Sequence, residues 1–242
     1  MMAAIEIYDL HKTFQLCHGR PRSLKSLVLS FSKQRYEELQ ALAGVDLQVQ
    51  PGETVAIIGK NGSGKSTLLR IIGNVFKPTL GKVVVKGRIS ALLDLGAGFH
   101  PDLTGIENIY LNGAILGLRT KQIKEKLDDI IAFSELEKFI DTPIRTYSSG
   151  MVMRLGFSVA VQVDPDVLLV DEVLAVGDEA FQNKCYEKIR EFQKAGKTII
   201  FVTHDMDAAR RVASRAIWLS NGQVRIDGGV DETLSAYLKA SH

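Results

Sequence analysis

Residues 53–66 read ETVAIIGKNGSGKS. A short run with a β-branched, apolar centre (53–58) leads into a glycine-rich turn that ends Gly64-Lys65-Ser66. The run has the character of a buried strand, and residues 65–73 behind the turn carry helical spacing. A glycine-rich turn between a strand and a helix makes a cradle for phosphate. Gly59, Gly62 and Gly64 let the backbone curl until several N–H groups point inward. The helix behind them presents its positive end to an anion. The spacing is GxxxxGK[ST] in the strand–helix context that this motif requires. In such a loop Lys65 reaches the β- and γ-phosphates, and the Ser66 hydroxyl is placed to ligate Mg²⁺. Lys60, Asn61, Ser63 and Thr67 complete the stretch expected to wrap a nucleotide. A dinucleotide fingerprint is excluded, because counting from Gly62 and Gly64 its third glycine falls at Thr67.

Outward from this loop the hydrophobic period switches repeatedly. Strand-like stretches lie at 5–9, 44–49, 82–86, 89–93, 167–170, 198–202 and 215–219. Several are apolar throughout, as strands covered on both faces are. Helical stretches lie near 65–73, 105–117, 120–133, 149–162, 178–195, 205–213 and 231–239. Buried strands alternating with helices predict an α/β fold with a largely parallel sheet. Residues 103–162 read almost entirely as helix. The expected division is an α/β core of 1–102 and 163–242 with a helical subdomain, 103–162, inserted into it.

Residues 167–172 read VLLVDE. A buried strand thus delivers Asp171 and Glu172 to its C-terminal edge, where ligand sites form in open α/β sheets. Asp171 is placed to hold Mg²⁺, directly or through water. Glu172 is placed to orient or deprotonate an attacking water. A strand ending in acids is common, but paired with a phosphate loop about a hundred residues upstream it points to nucleotide hydrolysis.

The whole-chain composition is that of a globular protein. The chain has 242 residues, 45% apolar and 24% charged, with a formal net charge of +2. That excludes a disordered or collagen-like chain, and a general polyanion binder is usually more basic. Cys17 and Cys185 sit in no metal-ligand spacing and read as free thiols of a reducing compartment. No signal-peptide layout and no apolar run of spanning length is evident, which predicts a cytosolic chain or one that reaches a membrane through a partner.

Three further stretches resemble one family. Residues 147–154 (YSSGMVMR) resemble the LSGGQ-type signature of ABC ATPases, with Ser148 and Gly150 kept, Ser149 in place of Gly and Met151 in place of Gln. Residues 173–178 (VLAVGD) resemble the loop after the acidic pair, ending in Asp178, and residues 202–205 (VTHD) match the switch-histidine motif, giving His204. The five motifs stand in the family's order across nearly the whole chain. The resemblance implies a P-loop NTPase core with a largely parallel sheet, an antiparallel β portion and the inserted helical subdomain. It implies two copies working head to tail, each ATP lying between one copy's phosphate loop and the other's Ser148, Ser149 and Gly150. His204 is then expected at the γ-phosphate or the attacking water. The family's adenine platform, an aromatic residue upstream of the loop, falls by spacing on Tyr36, with Phe14 as the competitor.

The family's usual Gln after the strand at 89–93 is absent from SALLDLGAGFHPDLTGIEN, and His100 or Asp94 is the candidate substitute. The combination LGAGFHPDLTGIENIYLNG, YSSGMVMRLGFSVA and DEVLAVGDEAFQNKC is similar to the branch that exports cell-surface polysaccharides: O-antigen, capsule and teichoic-acid exporters. That similarity implies an ATPase homodimer bound to an integral-membrane permease at the cytoplasmic face of the membrane, with a lipid-linked polysaccharide as cargo and ATP and Mg²⁺ as cofactors. With the chain ending at His242, a carbohydrate-reading C-terminal module is not expected. ABC ATPases acting on DNA or ribosomes usually carry long coiled coils or two cassettes, so no nucleic-acid partner is expected. An ATP sensor with little hydrolysis disagrees with the filled positions Glu172 and His204.

Residues 20–35 (RPRSLKSLVLSFSKQR) read as an inserted basic amphipathic helix, with Leu24, Leu27, Val28 and Phe31 on one face. It is either a surface helix docked on its own domain or a contact to a membrane or membrane partner.

Overall fold

Continuous apolar strands set the centre of the molecule. The computed structural model describes residues 3–18, 35–93, 95–171 and 177–241. In it β3 (Thr54–Ile58), β6 (Val167–Asp171) and β7 (Thr198–Val202) are buried almost end to end. They lie in a six-stranded sheet ordered β5-β6-β7-β3-β8-β9, where β5 is Ile89–Leu92, β8 Arg215–Ser220 and β9 Gln223–Gly229. Every pairing in it is parallel except β8 with β9. Because side chains alternate across a strand, each apolar run feeds two layers. Val55, Ile57, Val167, Leu169, Ile200 and Val202 enter one core, shared with Leu68 and Leu69 of α1 (Lys65–Ile72). Leu168, Val170, Ile199 and Phe201 enter the opposite core, against Phe157 of α4 (Ser149–Ala160) and Phe181 of α5 (Glu179–Lys194). Ala56 and Ile58 pack on α6 (Met206–Val212) and α7 (Val230–Ser241) through Ala209 and Leu234.

A second, antiparallel sheet covers the first core. Its order is β2 (Arg35–Val49), β1 (Ile5–His18), β4 (Leu80–Val85). The strands β1 and β2 are longer than the short alternating stretches predicted, and they pair from Ile5↔Val49 out to His18↔Arg35. Arg35 therefore belongs to a strand, which corrects the predicted helix at its C-terminal residue; residues 20–34 lie outside the described residues. Strand β9 was not anticipated. Its residues alternate half-buried and exposed, and it follows β8 through Asn221-Gly222, both at positive φ. That is the turn chemistry of a tight hairpin.

Between β5 and β6 the described chain is helical: α2 (Gly105–Ile115), α3 (Thr120–Ser134), a 3₁₀ turn at Ile144–Thr146, and α4. These helices share a core of their own, with Ile109, Ile123, Ile130, Leu155 and Val159 buried together. A reciprocal capping box starts α2. The Thr104 hydroxyl accepts from the Glu107 amide at 3.3 Å, and the Glu107 carboxylate accepts from the Thr104 amide at 2.8 Å. The Thr104 amide first, and the Thr104 hydroxyl after it, donate to the Glu107 carboxylate and hold it below the usual carboxylate range. No helix among the described residues is long and apolar enough to cross a membrane. Cys185 is buried in the second core, and burial pushes its thiol up to about 12, so it behaves as a small apolar residue.

Candidate functional site: a phosphate loop at a shared sheet edge

Strand register brings the predicted site residues together. Asp171 pairs with Val202, Val202 with Ile57, and Ile57 with Ile217. These four form one row across β6, β7, β3 and β8. Gly59 follows two residues beyond the row on one strand, and His204 two residues beyond it on another. Neighbouring strands lie about 4.8 Å apart, so the loop, the carboxylate and the histidine meet at one C-terminal edge.

The loop conformation demands glycine at two points of close approach. Gly59 has φ 151°, and a Cβ there would come 2.2 Å from the Leu219 carbonyl oxygen. Gly64 has φ 105°, and its Cβ would come 2.5 Å from the Ala41 carbonyl oxygen. The loop is thus pressed between β8 and β2, and the chain turns into α1 with Gly64 as its N-cap and no side-chain cap. The Lys65 side chain folds back across the loop. Its Nζ donates to the carbonyls of Gly59 at 2.8 Å and Lys60 at 3.1 Å, and the residue is only 6% exposed. The Lys60 carbonyl also accepts from the Ser63 amide at 3.1 Å. The Ser63 hydroxyl is buried without a hydrogen-bond partner, an orphaned group that a bound phosphate would satisfy. Asn61, Gly62 and Ser66 are exposed, and Thr67 is half-buried.

The Mg²⁺ candidates fit a hard cation. Ser66 presents a hydroxyl in the first turn of α1, and half-buried Asp171 a carboxylate at the end of β6. Oxygen donors in small number, completed by phosphate and water, are what Mg²⁺ takes. Glu172 follows directly in sequence but lies outside the described residues. His204 is exposed and held from both sides. The Thr203 amide donates to the Ile57 carbonyl, and Asp205 caps α6 by accepting from the amides of Asp207 and Ala208.

The signature residues lie elsewhere, at the start of α4. Ser148 is the N-cap, and its hydroxyl accepts from the Met151 amide at 3.2 Å. Ser148 and Ser149 are exposed and Gly150 half-exposed, so the first turn of a 12-residue helix faces outward. Asp178 caps α5 through Oδ1, accepting from Phe181 at 3.0 Å. That amide first, and the Arg154 guanidinium after it, hold the Asp178 carboxyl below the usual carboxylate range.

Of the two adenine candidates, Tyr36 lies on β2 opposite Cys17 in backbone register, and its side chain is outside the described residues. Phe14 lies on β1 opposite Leu39. Its ring meets Phe76 edge-on at 5.5 Å, with the Lys12 ammonium 4.9 Å from the ring centre. Of the two candidates for the missing Gln, Asp94 is outside the described residues. His100 is exposed, and its Nδ1 accepts from the Asp102 amide at 3.3 Å.

Sequence reasoning passed over several residues that order this region. Buried Asn108 accepts from the His100 amide at 2.7 Å and donates to the carbonyls of His100, Leu103 and Thr104. Asn112 donates to the Ala97 carbonyl at 2.9 Å. Together they clamp the loop after β5 to α2. Two asparagines four apart on an otherwise apolar helix were a readable signal, since a buried amide needs partners. Arg154 also went unread.

The comparisons agree with this geometry. A model of the ABC transporter family matches residues 42–175. The O-antigen export system ATP-binding protein RfbB of Klebsiella pneumoniae is 46% identical over 99% of this chain and 99% of its own length. The protein of the same name from Myxococcus xanthus is 48% identical over 99% of this chain, which spans 56% of that relative's length. A solved dimeric bacterial ABC transporter cassette superposes with a TM-score of 0.75 at 25% identity, covering 93% of this chain and 98% of that one. The matched family, the full-length relative and the phosphate loop at the sheet edge lead to one assignment: the chain belongs to the ABC transporter family and is an ATP-hydrolysing subunit of it.

Proposed function

We propose that this chain is the motor of an exporter that moves a lipid-linked cell-surface polysaccharide of O-antigen type across the cytoplasmic membrane. Two copies work head to tail against an integral-membrane permease, at the cytoplasmic face. The observation that carries the reading is that one chain holds two separate helix N-termini suited to an anion: α1 behind the glycine-rich loop, and the outward-facing start of α4 with Ser148, Ser149 and Gly150. Each favours an anion, and a γ-phosphate gripped by both ties nucleotide state to the separation of two chains. Similarity to O-antigen export subunits over the full chain supports the cargo class.

In this reading the amides of residues 59–67 and the Lys65 ammonium hold the phosphates. Ser66 and Asp171 hold Mg²⁺, which neutralises charge on the transferred phosphoryl group. Glu172 takes a proton from the attacking water, and His204 contacts the γ-phosphate or that water. Tyr36 stacks on the adenine, with Phe14 as the alternative. His100 or Asp94 stands where the family has its Gln. Residues 103–162 form the signature-bearing subdomain, and Asp178 closes the loop behind Glu172.

Deleting the gene tests the cargo. Lipid-linked polysaccharide collecting on the cytoplasmic side, with loss from the surface, is the expected result. Unchanged surface polysaccharide with no internal build-up, in cells lacking a second exporter, would leave an ATPase that energises export of another substrate.

A further inference from the structure

Arg154 lies on α4, six residues after Ser148, and is only 17% exposed on its side chain. Its guanidinium reaches two carboxylates on different elements. Nη1 donates to Glu135 at 2.9 Å and Nη2 to Asp178 at 2.7 Å. Its carbon stands 4.8 Å from the ring centre of fully buried Phe181. Both carboxylates are engaged on their other side. Glu135, the C-cap of α3, accepts from Lys184 at 2.8 Å; Asp178 caps α5 through the Phe181 amide. A planar fork with two fixed acceptors and an aromatic face beneath it sets positions, not merely charge balance. The backbone leaves little slack. Gly177 has φ 76°, and a Cβ there would lie 3.2 Å from Arg154 Nε.

We propose that Arg154 is a positioning residue that locks the signature helix to the Gly177–Asp178 turn, so that closure at one composite ATP site sets the geometry of the other. The proposal rests on the head-to-tail reading. There Ser148–Gly150 serve the partner copy's nucleotide, whereas Glu172, six residues before Asp178, serves this chain's own. One guanidinium therefore joins parts of both sites. Because that guanidinium joins elements belonging to two different sites, its effect is read as coupling between them.

The test follows ATP hydrolysis by the full chain against ATP concentration, with mant-ATP binding and thermal unfolding measured alongside. Arg154→Met is expected to lower kcat about tenfold and abolish positive cooperativity in ATP, with mant-ATP affinity held within about twofold. Arg154→Lys, a point charge that cannot fork, is expected to recover only part of the rate. Asp178→Asn, whose amide oxygen still caps α5, is expected to lower kcat as Arg154→Met does, and the double variant no further. Multiplying losses in the double variant, or wild-type cooperativity in Arg154→Met, would overturn the proposal. If Arg154→Met does not fold, Asp178→Asn and Glu135→Gln carry the test. Glu135→Gln leaves the Arg154–Asp178 pair intact and is expected to keep kcat within about twofold. A Glu135→Gln loss equal to that of Asp178→Asn would mark the network as a structural staple and overturn the proposal. A wild-type chain that shows neither cooperativity nor an ATP-dependent dimer would overturn the head-to-tail reading itself. Cooperative wild-type hydrolysis unaffected by these variants would remove only the role of Arg154.

Discussion

Two helices in this molecule offer their N-termini to an anion, and they are finished in opposite ways. Helix α1 starts at a left-handed glycine with no side-chain cap, under a loop folded around the Lys65 ammonium. Helix α4 starts at Ser148, whose hydroxyl already accepts from the Met151 amide. The first is an open socket, its shape fixed by β8 and β2 pressing on Gly59 and Gly64. The second is a helix whose capping hydroxyl accepts from its own first turn and keeps only its O–H to donate to a phosphate. A third terminus calibrates both: α2 starts at a reciprocal capping box of Thr104 and Glu107. In the proposed composite site, the half that binds would thus be built without a side-chain cap, and the half that closes over it with one.

Breaking the socket is expected to have the largest effect. Lys65→Ala removes the charge that spans the loop, and ATP affinity measured with mant-ATP should fall by about a hundredfold or more, as loss of charge-assisted bonds in a dry site does. An unchanged affinity would sink the phosphate-loop assignment. Glu172→Gln should lower hydrolysis about a hundredfold while leaving ATP bound. The ATP-trapped protein should then run as a dimer in gel filtration, and a variant that turns over at the parent rate removes Glu172 as the base.

Gly64→Ala separates conformation from charge. The positive φ and the Ala41 carbonyl both oppose a Cβ, so unfolding stability should drop by about 1–3 kcal/mol, together with loss of ATP binding. The smallest effect belongs to the self-capped helix. Ser148→Ala should cost about 1 kcal/mol in denaturant unfolding. Thr104→Ala, the structural control, should cost about the same. Only the Ser148 variant should also weaken ATP-driven dimerisation, with single-chain ATP affinity kept. If both variants dimerise alike, the contrast between α4 and α2 disappears.

How much was legible follows the range of the interaction involved. The apolar runs 53–58, 167–170 and 198–202 were readable as strands because burial on both faces leaves a continuous mark on a short segment. The helices were readable from their period, and α2 starts and ends close to its expected bounds because Thr104 and Glu107 form a local cap. The β8–β9 hairpin carried a local signal, Asn-Gly between apolar stretches, which went unread. The length of β1 and β2 was not legible, since their outer halves leave apolar residues such as Leu16 and Leu39 exposed and pair with each other across the chain rather than burying a continuous run. In the site, motif residues showed themselves one by one. Arg154 did not, because its partners Glu135 and Asp178 lie 19 and 24 residues away in sequence; Asn108 and Asn112 carried a local signal, as amides on an apolar helix face, that went unread.

The position of β3 has a consequence for how the molecule comes into being. Both its neighbours in the sheet, β7 and β8, are encoded roughly 145–160 residues downstream, and the Gly59 turn seats against Leu219. A chain emerging from the ribosome N-terminus first holds every residue of the phosphate loop long before it holds the strands that shape it. The loop therefore takes its shape only after β7 and β8 have been made. A chain cut short before β7 and β8 would hold a loop complete in letters and without form.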